Sequence, residues 1–303
     1  MSSVQTADWH VHYFRDGCAE PEMSVPSILR TAQGRGITEL GLLGRFVNRR
    51  VIRDIAYWMD PNPKFFDYLR YDLFCNSPAL SDNPSAGEKT SIPRVLIGAE
   101  VDINTIEGDL SITSEQAARI DFVMAGIHWP PTLPPHIDYI DLKDPGRLVE
   151  TYCSYNSVRA EDFSVKRLIA DMFTSMIRAV ERNPCINILA HPAGFATRLG
   201  PYCAEIDASG WFEKLAAALT VHAVAYELNS TTLRKYSPDV LAKFVKPLVR
   251  TCARAGATFA IGSDAHRLKE VGDLGSSLRL KEELQIPDER IVTSFERFSR
   301  KRT

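Results

Sequence analysis

ADWHVH, residues 7–12, is a strand-forming run that closes on two histidines separated by one residue. Successive side chains of a strand point to opposite faces, so His10 and His12 share a face. Two imidazoles converging there can chelate one ion. The same design, an apolar run closing on a metal-binding side chain, recurs down the chain. DFVMAGIHWP presents His128, INILAHPAG presents His191, TFAIGSDAH presents Asp264 and His266, and RVLIGAEVDI carries Glu100. Imidazole and carboxylate bind zinc, manganese or iron through nitrogen and oxygen. A buried unpaired charge costs on the order of several kcal/mol. Glu100 and Asp264 therefore call for a partner inside their apolar strands, and a shared dication supplies one.

Outward from these runs the chain alternates strand and helix. Strands are expected at Ala7–His12, Thr38–Leu43, Arg94–Val101, Phe122–Ile127, Ile186–Ala190, Val224–Leu228 and Thr258–Ile261. Most are continuously apolar, as in parallel strands covered on both faces. Helices are expected at Val25–Arg35, Ser114–Arg119, Phe163–Arg182, Trp211–Val221 and Pro238–Ala255. Such alternation implies an α/β fold. Ligands at nearly every strand end favour a barrel, because parallel strands ending at one rim would gather them. Residues 1–303 are expected to form a single barrel domain with long loops at about 45–93 and 129–161. The first loop holds an aromatic group (Tyr57, Trp58, Phe65, Phe66, Tyr68) and the polar run SPALSDNPSAGEKTS; the second opens with the proline-rich WPPTLPPH and contains His136. Both leave the ligand-bearing rim and are candidates to cover a substrate.

With 36 basic against 38 acidic residues and a net charge of -2, the chain lacks the electrostatic footprint of a nucleic-acid binder. It has no apolar run long enough to span a bilayer, and no basic-then-apolar leader, so a cytoplasmic protein is expected. Its six cysteines form no CxxC pair and are expected to stay reduced.

The ordered motifs resemble those of the polymerase and histidinol phosphatase (PHP) family. DWHVH, GAEVDI and GIHWP look like its first three motifs, and AHPAG and GSDAH like its later ones. YELNSTTLRKYS, residues 226–237, is similar to a strand and turn of the histidinol-phosphatase-like members. The likeness spans about residues 7–275. It implies a distorted (β/α)7 TIM-like barrel and hydrolysis of phosphoesters by a metal-bridging hydroxide. Carried onto this chain, it assigns His10, His12, Glu100 and Asp264 to one divalent ion, with Glu100 bridging to a second held by His128 and His191.

The chain departs from the family at the third metal. Cys18 stands where a histidine is usual, and Gly44 and Arg45 replace an Asp-His pair, leaving His266. Two ions (zinc, manganese or iron) are therefore expected, with Arg45 filling the vacated volume and restoring part of the lost positive charge. His266 is then free to act as general acid or to hold the substrate, and Asp264 to accept a proton. Arg198, Arg234 and Arg267 follow strand ends and are further candidates to grip a phosphate. Glu227 and Asn229 are placed to orient substrate or brace ligands. The expected activity is a metal-dependent phosphoesterase acting on a small phosphorylated metabolite. The alternatives are a dinuclear hydrolase of a C–O, C–N or C–C bond, or a barrel that binds metal without turnover.

Overall fold

The computed structural model describes residues 6–16, 18–46, 69–70, 73, 92–128, 130–132, 145–155, 159 and 164–299. Seven parallel strands form one sheet in chain order: β1 (Ala7–His12), β2 (Glu39–Phe46), β3 (Arg94–Asp102), β4 (Phe122–Gly126), β5 (Ile186–Leu189), β6 (Ala225–Asn229) and β7 (Phe259–Gly262). The ends of the sheet meet through a parallel bridge between Val11 and Ala265, where His12 N–H donates to Ala265 and Ala265 N–H to His10. Asp8 locks this seam, accepting from the backbone N–H groups of Ser263 and Gly272 at 2.8 Å each. The result is a (β/α)7 TIM-like barrel. Helices α1 (Val25–Gly34), α2 (Pro145–Tyr155), α3 (Val165–Arg182), α4 (Ser209–Val221), α5 (Lys246–Ala255) and α6 (Gly275–Glu283) lie among the connections.

Strand alternation sorts the barrel into two apolar regions. Outward residues such as Leu40, Leu42, Ala99, Val101, Val123 and Leu228 join the helices in the larger core. Inward residues, among them Trp9, Leu43, Leu96, Phe122, Met124 and Ile188, form a smaller inner cluster. The segment after β7 closes the floor of this cluster. Trp9 stacks edge-on against Phe122 and Phe298, with ring centroids 5.8 and 5.0 Å apart, and its indole N–H donates to Val292 at 2.7 Å.

β1 departs from simple alternation. Its pairing with β2 slips between Asp8 and Val11, so that Trp9 and His10 together oppose Gly41. Such a bulge turns one side chain to a new face. Trp9 fills the inner cluster, Val11 joins the outer core, and His10 and His12 still meet above Trp9. The slip needs a small residue opposite, since a Cβ on Gly41 would lie 2.7 Å from the Trp9 carbonyl oxygen.

Three expectations are corrected. β2 continues beyond Leu43 to Phe46, so Arg45 belongs to the barrel wall and not to a loop; the ladder with β3 extends it, pairing Arg45 with Glu100. The 129–161 connection contains α2, which Pro145 begins with a preset helical φ. The helix expected at Pro238–Ala255 is interrupted by a π-turn at Leu241–Val245, with Pro247 in the first turn of the helix that resumes at Lys246. Proline has no N–H to donate, and its ring crowds the carbonyl four residues earlier; a widened turn relieves both. The aromatic group at 57–68, the polar run at 77–91 and His136 lie outside the described residues. Among the described residues, the cysteines form no disulfide.

Gly98 packs directly against the inner cluster, where an added Cβ would sit 2.5 Å from the Phe122 ring and 2.8 Å from Leu43 Cδ2. Gly98→Ala is expected to destabilise the protein by about 1–3 kcal/mol, the usual cost of overpacking. Urea unfolding checks it, and a loss below about 0.5 kcal/mol would mean that the Phe122 ring moves aside freely.

Candidate metal centre

Glu100 projects inward near the end of β3 and is 1% exposed. Its Oε1 lies 2.7 Å from His128 Nε2 and 3.0 Å from His191 Nε2. Its Oε2 lies 3.5 Å from His12 Nε2 and 3.6 Å from Arg45 Nε. His10 Nε2 is 3.1 Å from His12 Nε2, and Asp264 Oδ1 stands 3.3 and 3.5 Å from those two nitrogens. The six side chains expected to bind metal thus converge from β1, β3 and the segments that follow β4, β5 and β7. Five of them, all but Asp264, form two sets whose ligand atoms lie within 4.8 Å of one another, His10–His12–Glu100 and Glu100–His128–His191. Glu100 is common to both.

Two observations fit a cation here. The donors are imidazole nitrogens and carboxylate oxygens, the usual set for zinc and its neighbours. Glu100 Oε2 is also buried with no hydrogen-bond partner among the described residues, which favours a cation closer to it than the Arg45 charge 3.6 Å away.

All four imidazoles turn Nε2 toward the centre, and three have a carboxylate at Nδ1. His10 faces Glu227 at 2.7 Å, His12 faces Asp16 at 2.7 Å, and His128 faces Asp102 at 2.6 Å. Such outer carboxylates commonly orient metal-binding histidines. Asp102 was not singled out in the sequence. It lies two residues after Glu100, on the same strand face, and that spacing is the signal that could have found it. Asp16 sits four residues after His12 in a short helical turn.

The electrostatics reflect this excess of acid. Burial works to lower the pKa of His10, but Glu227, Asp264 and Glu100 outweigh it and hold the imidazole well above its ordinary range. Burial would raise Glu100, yet Arg45, His128 and His10 bring it well below the usual carboxylate range. Asp264 is likewise driven down, against burial, by His10, His12 and His266. The cluster is built to surround positive charge.

The backbone is strained at two of the six residues. His191 has φ 29° and Asp264 φ 58°, in the left-handed region that side chains other than glycine seldom adopt. Each costs on the order of 1–3 kcal/mol and persists only where the surroundings impose it.

The remaining candidates are distributed around the rim. The His266 ring lies 4.2 Å from that of His12, and its pKa is pushed down to about 4 by burial and by His12. Cys18 Sγ is 3.4 Å from His12 Nδ1, and His12, Cys18 and His266 form a third possible ligand set. Arg45 enters the cluster from β2 with its side chain 10% exposed. Arg234 pairs with Asp273 at 3.1 Å, and Arg267 pairs with Glu20 at 2.6 Å. Arg198 follows the short helical turn Gly194–Thr197 beyond β5.

No family model matches the chain. Its sequence is 26% identical over 208 residues to a "Probable phosphatase" of Acetivibrio thermocellus, covering 68% of this chain and 66% of that protein. It is 25% identical over 201 residues to a "Probable phosphatase" of Shewanella piezotolerans, covering 65% and 62%. The matched region is thus just under two thirds of either relative. In fold it is similar to histidinol phosphate phosphatase from Lactococcus lactis, solved with zinc, L-histidinol and phosphate. The TM-score is 0.61 at 15% identity, over 93% of this chain and 95% of that one. The barrel fold is thus shared with a histidinol phosphate phosphatase, and the sequence is similar to proteins named probable phosphatases.

Proposed function

We propose that this protein is a metal-dependent phosphoesterase acting on a small phosphorylated metabolite. The observation that carries the proposal is Glu100, shared by two imidazole sets and left with a buried, unsatisfied oxygen. His10, His12, Asp264 and Glu100 would hold one divalent ion, and Glu100, His128 and His191 a second. Zinc suits these nitrogen and oxygen donors, and the structural neighbour was solved with it. A pair of such ions lowers the pKa of water and stabilises negative charge on an attacked phosphoryl oxygen.

The chain's own residues supply the rest. Arg45 brings a permanent positive charge and a planar fork of donors that matches phosphate oxygens. His266, with its depressed pKa, is a neutral imidazole near pH 7 and suits a hydrogen bond to substrate better than proton donation. Asp264, close to both β1 histidines, suits ion binding better than uptake of a proton, because His10, His12 and His266 hold its carboxyl far down against burial. Arg198, Arg234 and Arg267 are further candidates to meet a phosphate, with Arg234 already engaged by Asp273 and Thr231 and Arg267 by Glu20.

A third ion is not part of the proposal. His12 directs Nε2 to the first site and gives Nδ1 to Asp16, so Cys18 and His266 would have to hold another ion without it. The same loss favours a second reading, hydrolysis of a lactone or amide, because an extra cation near the phosphate is missing. Assaying phosphate monoesters beside lactones and amides, with zinc or manganese present, separates the two.

Elemental analysis of the purified protein is expected to find about two divalent ions per chain. Glu100→Gln is expected to lose ion binding and to lower turnover more than about 100-fold, beyond the loss usual for outer-sphere changes. Three ions, or undiminished turnover, would count against the proposal. Arg45→Met is expected to raise KM for a phosphate monoester by about 10- to 100-fold, the equivalent of one charged hydrogen bond. Steady-state kinetics measure this, and an unchanged KM would remove Arg45 from substrate binding.

A further inference from the structure

Glu227 touches both halves of the metal centre. Its Oε1 accepts from His10 Nδ1 at 2.7 Å and from Asn229 Nδ2 at 3.2 Å. Its Oε2 accepts from the His191 backbone N–H at 2.7 Å. The side chain is fully buried. His10 belongs to one ligand set and His191 to the other. Asp16 and Asp102 each serve a single histidine. The barrel also keeps space for the contact. A Cβ on Gly262, in the neighbouring strand β7, would lie 2.6 Å from His10 Cβ and collide with Glu227 Oε1.

We propose that Glu227 is a positioning residue that sets both ion sites at once, an inference that rests on the metal-dependent reading above. A carboxylate can only accept, so its contact places the His10 proton on Nδ1 and leaves the Nε2 lone pair for a cation. Its bond to His191 N–H holds the left-handed turn at φ 29°, which aims that imidazole at Glu100. One side chain therefore fixes a tautomer on β1 and a backbone angle after β5.

Glutamine has nearly the same shape but cannot meet both demands. If its carbonyl faces His191 N–H, its NH2 donates to His10 Nδ1 and drives that proton to Nε2, where a cation must bind. If the carbonyl faces His10, the NH2 opposes the His191 N–H and the turn loses its acceptor. Each orientation leaves one ligand short of its partner, and interchange of the two spreads the loss over His10 in one set and His191 in the other.

The test is titration of metal-stripped protein with Co(II), following its visible absorption bands. Glu227→Gln is expected to weaken both binding phases by about 10- to 100-fold and to alter the bands of the loaded protein. Asp102→Asn is expected to weaken mainly one phase, because among the described residues the Asp102 carboxylate meets His128 and no residue of the other set. Wild-type affinity in Glu227→Gln, or a shift confined to one phase, would overturn the inference. Should the glutamine variant not fold, Glu227→Asp replaces it, with a loss in both phases expected and wild-type affinity decisive against. A wild-type chain that takes up no Co(II) would instead defeat the metal-dependent reading itself.

Discussion

Glu100 and Asp264 flank the paired imidazoles of His10 and His12, and Asp16, Asp102 and Glu227 press on the outer nitrogens of three histidines. Five carboxylates thus share one end of an otherwise apolar barrel. Two like charges 4 Å apart repel by about 4 kcal/mol at an effective dielectric of 20, and the sum over this group exceeds what any single hydrogen bond returns. Only positive charge at the centre makes the arrangement tolerable. Four imidazoles and Arg45 supply some of it, and the inward-facing Nε2 atoms leave a focus where dications fit. The placement of nearly every polar side chain inside the barrel follows from that requirement.

The apolar layer beneath gives the cluster its rigidity. Trp9, Phe122 and Phe298 fill the barrel floor, and the glycines at 41 and 98 allow those rings to approach the strands closely. With the floor filled, the ligand layer cannot sink, and the strand ends present their side chains at a fixed height. Left-handed backbone at His191 and Asp264 can then be imposed by its surroundings. Gly194 N–H and Glu227 brace the first, and the Ala265–His10 seam adjoins the second. Stability in the lower layer thus underwrites strain in the upper one.

Much of this was legible in the sequence, for a physical reason. A parallel strand buried on both faces must be apolar, so a charged or imidazole side chain at its end stands out against the run. Apolar runs located all seven strands, and that contrast at the ends of five of them located the six side chains that converge on the centre. What stayed hidden depends on neighbours distant in the chain. The bulge in β1 is invisible because alternation in DWHVH places Trp9 and Val11 on one face, whereas pairing with Gly41 separates them. The plug formed by Phe295 and Phe298 lies beyond the motifs and has meaning only beneath Trp9. Asp16 and Asp102 resemble any other acids until the histidine beside each is known, whereas Glu227 stands out at the end of its apolar strand as a candidate to brace ligands.

Arg45 shows how register turns a substitution into chemistry. A polar residue after GLLG reads as the start of a loop, but β2 runs on because β3 offers it a ladder, and Arg45 falls beside Glu100. In parallel pairing, residues opposite one another point to the same face, so the guanidinium is carried inward with the carboxylate. Its charge cannot be titrated away near neutral pH and, unlike a third ion, cannot dissociate. On the proposed function, the positive charge that meets the substrate is then written into the chain, and only the charge that acts on water depends on metal supply.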